Sequence, residues 1–135
     1  MIRLITGKKG SGKTKIIIDR INAAVKDTNG CLVCIEKGET LRRSISYKVR
    51  WCDTEQFAID SFDAFYGFVA GMLAGNYDIK EIYVDGILKI AGVDFEALGR
   101  TLEKLDKLTG DDSTVTFTVS ADAAELPASV TKFVD

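Results

Sequence analysis

Glycine and lysine are concentrated near the start of the chain, in the stretch Gly7-Lys8-Lys9-Gly10-Ser11-Gly12-Lys13-Thr14. The stretch matches the pattern G-x-x-x-x-G-K-[ST], in which glycines let the backbone curl until consecutive N–H groups point at a phosphate. We expect Lys13 to reach the β- and γ-phosphates, where it serves binding and catalysis, and Thr14 to place its hydroxyl on Mg²⁺. Residues 7–14 are therefore predicted to bind ATP or GTP with Mg²⁺. The structural alternative is a glycine turn that carries lysine.

A magnesium ion at such a loop needs a second protein oxygen, which usually comes from a carboxylate at the end of another strand. Asp85 follows the apolar run Ile82-Tyr83-Val84 and fits that place. Its structural alternative is a turn, because Gly86 comes next. We predict that Asp85 is a metal ligand together with Thr14, with Asp53 as the next candidate.

Hydrolysis would also need a group that orients and deprotonates water. Many ATPases place a glutamate directly after the metal-binding aspartate, but this chain has Gly86 there and contains no histidine. Glu36, at the end of the apolar run 31–35, is the candidate general base, and Glu39 is the second choice. Surface solvation of both carboxylates is the alternative. Ser120 is a weaker candidate for sensing the γ-phosphate.

The apolar periodicity predicts the elements that must position these residues. Strands are expected at 2–6, 31–36, 47–52, 81–85, 114–120 and 130–134. Helices are expected from Lys13 to about Lys26, from the N-cap Ser61 to Asn76, and from the N-cap Asp94 to the turn at Gly110, with a brief helical turn before Pro127. This alternation predicts an α/β protein with three layers, in which helices cover both faces of a mainly parallel sheet of about five strands. The length of 135 residues fits a single domain, residues 1–135.

Two spacings within these elements have a structural interpretation. Cys31 and Cys34 form C-x-x-C within a strand, and the odd offset places their side chains on opposite faces, which favours buried free thiols over a metal or redox pair. Gly67, Gly71 and Gly75 recur every four residues in a helix, and we expect them to let that helix lie close to the sheet.

The charge balance gives little sign of a polyanionic partner. The net charge is −2, so a nucleic-acid surface is not favoured. Basic residues do cluster between positions 37 and 50, where a flexible basic loop is the first interpretation and an arginine finger the second; these are Lys37, Arg42, Arg43, Lys48 and Arg50. The longest apolar stretch, 64–74, is too short to span a membrane, and no secretory signal begins the chain, so we expect a cytoplasmic protein.

The matched residues resemble the P-loop NTPase superfamily, with residues 7–14 as its Walker A loop and Asp85 as its Walker B carboxylate. The segment 5–14 looks like the V-T-G-P-T-G-S-G-K-[ST] loop of the pilus-retraction (twitching-motility) and secretion ATPases. Ile35-Glu36 is similar to the start of their I-E-D-P box, although Lys37-Gly38 departs from it. Lys8 sits where the partition and division-site ATPases carry a signature lysine.

This resemblance implies a nucleotide-binding core that uses Mg²⁺ and ATP or GTP, with slow hydrolysis. Two alternatives stay open at this point. One is a non-catalytic module whose nucleotide occupancy reports to a protein partner or to a second copy of the chain. The other is a small-molecule kinase, which would need a lid and an acceptor pocket.

Overall fold

The computed structural model describes residues 1–134 and forms a single five-stranded sheet in which every pair of neighbouring strands is parallel. The strands are β1 (Ile2–Thr6), β2 (Cys31–Glu36), β3 (Arg50–Asp53), β4 (Ile79–Asp85) and β5 (Thr114–Val119). The helices are α1 (Lys13–Asp27), α2 (Phe62–Gly75), α3 (Ile87–Ala91), α4 (Phe95–Thr109) and α5 (Ala128–Thr131). Short 3₁₀ turns cover Thr54–Phe57 and Ala123–Glu125. The strand order is β1-β5-β4-β2-β3.

The sheet lies between two apolar layers, because alternate residues of each strand point to opposite faces. On one face, strand residues such as Ile35, Ile82 and Phe117 pack with the buried sides of α2, α3, α4 and α5. On the other face, α1 and the segment after β2 cover a smaller core, which includes Leu32, Cys34 and Tyr83. The predicted α/β class and parallel sheet are therefore confirmed, and helices flanking the sheet are compatible with the predicted three layers.

All five strands end at the same edge of the sheet because they run in the same direction. Two carboxylates meet there, since Glu36 of β2 is paired directly with Asp85 of β4. Asp53 of β3 is the partner of Glu36 on its other side. In parallel α/β sheets the carboxyl ends of the strands are where ligands bind, so this edge is the place to look for a site.

Three local predictions differ from the structure. The strand predicted at 47–52 covers only Arg50–Asp53, because a turn in which the Val49 N–H donates to the Ser46 carbonyl at 3.1 Å precedes it. The strand predicted at 130–134 is wrong: Pro127 begins α5, and only a single parallel bridge joins Val134 to β1. Helix α3 was not predicted, because its five residues are mostly buried apolar side chains without a visible helical period.

The glycine spacing in α2 does not serve close packing, and that prediction is wrong. Gly67, Gly71 and Gly75 are exposed, and a Cβ atom placed on any of them would meet no atom within 4 Å. The face of α2 that packs on the sheet carries Phe65 and Val69 instead. The spacing of four places the three glycines on one side of the helix, but this side is the exposed one and not the buried one.

Cys31 and Cys34 lie on opposite faces of the sheet as predicted, but only Cys34 is buried and Cys31 is half-buried. Cys31 packs against the core on the α2 side, whereas Cys34 belongs to the core on the α1 side. Both are free thiols, as is Cys52. Burial, with a smaller contribution from the nearby Glu36 and Asp85 carboxylates, raises the pKa of the Cys34 thiol far above its ordinary value, so it stays protonated.

Ser61 caps α2 as predicted, and this contact gives a stability test. Its side-chain oxygen accepts a hydrogen bond from the Ala64 N–H at 3.1 Å. Ser61→Ala should lower the free energy of unfolding by about 1 kcal/mol, because an N–H group of the first turn loses its acceptor. Urea denaturation measures this change, with Ser44→Ala, at an exposed loop serine, as the control. Equal stability of the two variants would contradict the assignment.

Among residues 1–134, no helix is long and apolar enough to cross a membrane. The predicted domain, residues 1–135, also includes Asp135, which lies outside the described residues.

Candidate functional site

The glycine–lysine loop, residues 7–14, connects β1 to α1, and two of its glycines are required by its geometry. A Cβ atom at Gly7 would overlap the Ser11 hydroxyl oxygen, so no larger residue fits without a shift. Gly12 immediately precedes α1 with a φ of 90°, in the left-handed region that side chains disfavour. The loop therefore turns sharply and delivers the chain directly into the helix.

The first turn of α1 has no side chain that satisfies its N–H groups. Gly12 occupies the N-cap position without a capping side chain, and no acidic residue lies in the first turn. The initial N–H groups of a helix lack partners within the helix, and the helix dipole adds positive potential at the same end. This 15-residue helix therefore begins with a region that favours an anion.

Lys13 is not the solvent-facing cation that its position in a loop would suggest, because only 7 % of it is exposed. Its Nζ donates to the Lys8 carbonyl at 2.9 Å and to the Ser11 hydroxyl at 3.3 Å, so the amine lies folded over the loop. Burial lowers the pKa of Lys13, and the Asp85 carboxylate opposes that shift. All of the amine's acceptors here are neutral oxygens.

Asp85 lies between two hydroxyl groups at the end of β4. The Thr14 hydroxyl is 3.4 Å from Oδ2, a long contact, and the Thr118 hydroxyl donates to Oδ1 at 2.6 Å. Thr118 in turn accepts the Gly86 N–H at 2.7 Å. The carboxylate is thereby oriented from β5 while its second oxygen faces the first turn of α1.

Glu36 is a buried carboxylate, only 2 % exposed, and its environment is specific. The Leu41 N–H and the Trp51 Nε1–H both donate to its Oε2 at 2.8 Å. Burial raises the pKa of Glu36; the two hydrogen bonds lower it and the Asp85 charge raises it further. A carboxylate with a raised pKa is a stronger base than an ordinary glutamate while it is ionised.

A cleft of about 690 Å³ brings these groups together. Its lining includes both carboxylates, Glu36 and Asp85, and the end of β5. The predicted site residues along the cleft are Lys9, Gly10, Gly12, Lys13, Thr14, Glu36, Asp85 and Ser120. Lys37, which the sequence placed in the basic cluster, lines the cleft as well, and the lining that was not predicted is Thr40, Gly86, Lys89 and Thr118. Gly7, Lys8 and Ser11 belong to the loop but do not line the cleft.

The second choices for the general base and the metal ligand, Glu39 and Asp53, do not line this cleft. Glu39 is exposed and forms an ion pair with Arg42 at 3.3 Å. Asp53 uses one oxygen, Oδ1, to accept the Gly38 N–H at 2.9 Å and the Glu55 N–H at 3.0 Å, where it caps a 3₁₀ turn. Glu36 and Asp85 are therefore the two carboxylates of the described chain that face the glycine–lysine loop across the cleft.

Thr118 could have been found from the sequence. It is two residues before Ser120 on the same strand face, where hydroxyl-bearing residues alternate with apolar ones from Thr114 to Ser120. Lys89 carried no such signal, because its place depends on the one-turn helix α3. It is exposed and supplies a further positive charge at the rim of the cleft.

A divalent cation would fit between Thr14 and Asp85. The hydroxyl and the carboxylate are both hard oxygen ligands, and they already face each other. Among residues 1–134, no group of three or more His, Cys, Asp or Glu side chains is arranged to hold a metal. Mg²⁺ commonly takes one or two protein oxygens and completes its shell with water and substrate phosphates, which suits this pair.

No family model matches the chain, and a search of curated proteins finds no relative.

The raised pKa of Glu36 predicts a pH dependence of stability. The folded state holds this proton more tightly than the unfolded state, whose ordinary value is 4.5. The resulting stabilisation is complete below that value and is lost as pH rises through the folded pKa. Glu36→Gln cannot titrate, yet its amide oxygen can still accept the Leu41 and Trp51 N–H groups. Relative to this variant, the parent should lose stability as pH rises, in urea denaturation curves measured from acid to neutral pH. A difference that does not change with pH would contradict the assignment.

Proposed function

We propose that the protein binds a nucleoside triphosphate, ATP or GTP, together with Mg²⁺ and hydrolyses it slowly. The observation that carries this proposal is the position of Glu36 and Asp85 in one cleft with the glycine–lysine loop and the uncapped start of α1. A triphosphate needs cationic and N–H donors, a metal that bridges its oxygens, and a base near the terminal phosphate. The cleft contains a candidate for each role.

Each residue would act through its own chemistry. The N–H groups at the start of α1 would bind phosphate oxygens, and the Lys13 amine would leave its neutral acceptors, the Lys8 carbonyl and the Ser11 hydroxyl, for the more strongly attracting phosphates. Thr14 and Asp85 would hold Mg²⁺, which would neutralise charge on the phosphates. Thr118 would keep the Asp85 carboxylate oriented.

Glu36 would orient the attacking water and accept its proton. Because Trp51 and Leu41 both donate to Oε2, the carboxylate is fixed in position and cannot rotate away freely. This assignment matters because no glutamate follows Asp85 and the chain has no histidine. The likeness of the loop to the pilus-retraction ATPases supports nucleotide binding and carries no argument for a motor.

The alternative is a module that binds nucleotide without hydrolysing it. The two hydrogen bonds that Glu36 accepts from Leu41 and Trp51 favour this alternative, because a carboxylate held by two donors is less available to water. Titration of ATP, GTP and their diphosphates with Mg²⁺, followed by a phosphate-release assay on the same sample, separates the two. Nucleotide binding followed by slow phosphate release supports the enzyme, and nucleotide binding without phosphate release supports the module. Absence of nucleotide binding contradicts both.

Asp85→Asn tests the metal site. The substitution keeps the shape of the side chain but removes the charge that a hard cation prefers. The part of the triphosphate affinity that depends on Mg²⁺ should shrink, as measured by calorimetry with and without the ion. Asp53→Asn is the control, because that carboxylate caps a turn outside the cleft. The same Mg²⁺ dependence in Asp85→Asn and the parent would place the metal carboxylate elsewhere.

A further inference from the structure

A second cavity of about 670 Å³ lies beside the exposed edge of the sheet, and we call it the basic groove. It is lined by the loop before β3, by part of β3 itself and by the 3₁₀ turn after it. Its ten described lining residues are Arg42, Ile45, Ser46, Tyr47, Lys48, Val49, Arg50, Trp51, Gln56 and Phe57. Three of them are cations and none is acidic, although the net charge of the chain is −2.

The basic groove also holds three aromatic side chains, and the fold does not require all of them in its core. Tyr47 is 92 % exposed and Phe57 is 49 % exposed. Trp51 is half-buried, and the Arg42 guanidinium lies 4.7 Å from the centre of its ring. Phe57 packs on Phe68, with ring centres 5.3 Å apart, and Trp51 packs against the core on the α1 side. Packing does not account for the ring of Tyr47, which remains in contact with water beside three cations.

We infer that the basic groove binds single-stranded nucleic acid. Flat aromatic faces next to lysine and arginine are what such a strand needs, because its unpaired bases stack on the rings and its phosphates pair with the cations. An acidic peptide would use the cations but would have no use for the exposed ring of Tyr47. A duplex hides its base faces, so it would gain only the phosphate contacts. The sequence-based expectation disfavoured a nucleic-acid surface from the net charge of the whole chain, whereas this inference rests on how the charges are distributed.

The basic groove is connected to the cleft by one hydrogen bond. Trp51 lines the groove, and its Nε1–H donates to Glu36, which lines the cleft. A base that stacks on the indole would change the orientation of this donor. If the proposed function holds, a bound strand should therefore change the rate of nucleotide hydrolysis, whereas strand binding itself does not depend on that function.

The test uses a fluorescein-labelled short oligothymidylate and the full chain. Trp51 is the single tryptophan of the sequence, so in the absence of nucleotide its fluorescence reports on the basic groove. On binding, the fluorescence anisotropy of the labelled oligothymidylate should rise and the fluorescence intensity of Trp51 should fall. With three cations, the logarithm of the binding constant should fall with the logarithm of salt concentration with a slope of about −2. An unlabelled duplex of the same length should compete poorly.

Matched variants locate the site. Tyr47→Ala should weaken binding by about five- to 150-fold, the effect of losing one stacked base. Tyr77→Ala is the control, because Tyr77 is 89 % exposed but lies in the turn before β4, outside the groove. Arg50→Ala should make the salt slope shallower by about 0.7, and Lys80→Ala should leave it unchanged. Lys13→Ala should retain strand binding, which separates the basic groove from the cleft.

Three results would overturn the inference. The first is no binding of the oligothymidylate at low salt by a folded parent. The second is equal weakening by Tyr47→Ala and Tyr77→Ala. The third is tighter binding of polyglutamate than of the oligothymidylate, which would make the groove a surface for acidic peptides. Strand binding in the groove with unchanged phosphate release from a hydrolysing parent would overturn only the link through Trp51.

Discussion

Glu36→Gln should reduce the rate of triphosphate hydrolysis by about 10²–10⁴-fold and leave triphosphate affinity close to that of the parent. The reason is that the amide cannot accept a proton from water. The fold should persist, because the amide oxygen can accept the hydrogen bonds from Leu41 and Trp51 that the carboxylate accepts now. Phosphate release under saturating nucleotide measures the rate, and calorimetry measures the affinity.

Glu39→Gln is the matched control for this experiment. Glu39 is three residues away, exposed, and outside the cleft, so its variant should hydrolyse nucleotide at the parental rate. Hydrolysis that survives Glu36→Gln would contradict the assignment of Glu36 as the general base. The pH profile gives a second readout. The hydrolysis rate of the parent should rise with pH through a pKa above 4.5, as Glu36 loses its proton. The residual hydrolysis rate of Glu36→Gln should not show this rise.

Lys13→Ala should weaken triphosphate binding by about 2–5 kcal/mol, the range found when one partner of a buried charge pair is removed. This corresponds to roughly a 30- to 5,000-fold increase in Kd. The fold should remain, because the amine bonds only to two oxygens of its own loop, those of Lys8 and Ser11. Isothermal calorimetry measures the loss, with denaturation as the check on folding.

Lys15→Ala is the matched control for Lys13→Ala. Lys15 lies two residues further along α1, is exposed and does not line the cleft. Its variant removes the same charge from the same helix and should bind triphosphate nearly as the parent does. Unchanged affinity in Lys13→Ala would contradict the whole interpretation of residues 7–14. An equal loss in both variants would show that only net charge matters.

The sequence predicted the central elements of the fold because each has a local signature. β1, β2 and β5 are apolar runs of strand length, and the helices after Ser61 and Asp94 begin with capping side chains. The predictions of secondary structure that were wrong concern segments whose conformation depends on tertiary contacts. The segment 130–134 is apolar, yet Pro127 and the packing of α5 on α4 make most of it helical or turn.

The site was predicted less completely, for a topological reason. Glu36 was predicted as the general base, yet β5 and β4 separate its strand, β2, from β1, which leads into the glycine–lysine loop. Glu36 lines the cleft nevertheless, because β2 neighbours β4 and Glu36 pairs with Asp85. Strand order is set by contacts between distant segments, so no local pattern could have given it. The place of Lys89 was missed because helix α3 was not predicted. The contacts of the Lys13 amine with Lys8 and Ser11 depend on a loop conformation that the pattern of residue types does not specify.

Amide chemical-shift mapping of the full chain with Mg²⁺ and a non-hydrolysable triphosphate tests whether residues 7–14 bind the phosphates. Tight contact between phosphates and backbone N–H groups changes the shifts of those groups more than those of distant ones. We expect the largest shift changes at residues 10–14, with further changes at Glu36 and at 85–86. In Lys13→Ala, all of these shift changes should be absent at the same nucleotide concentration. No change at residues 10–14, or changes confined to the basic groove, would contradict this expectation.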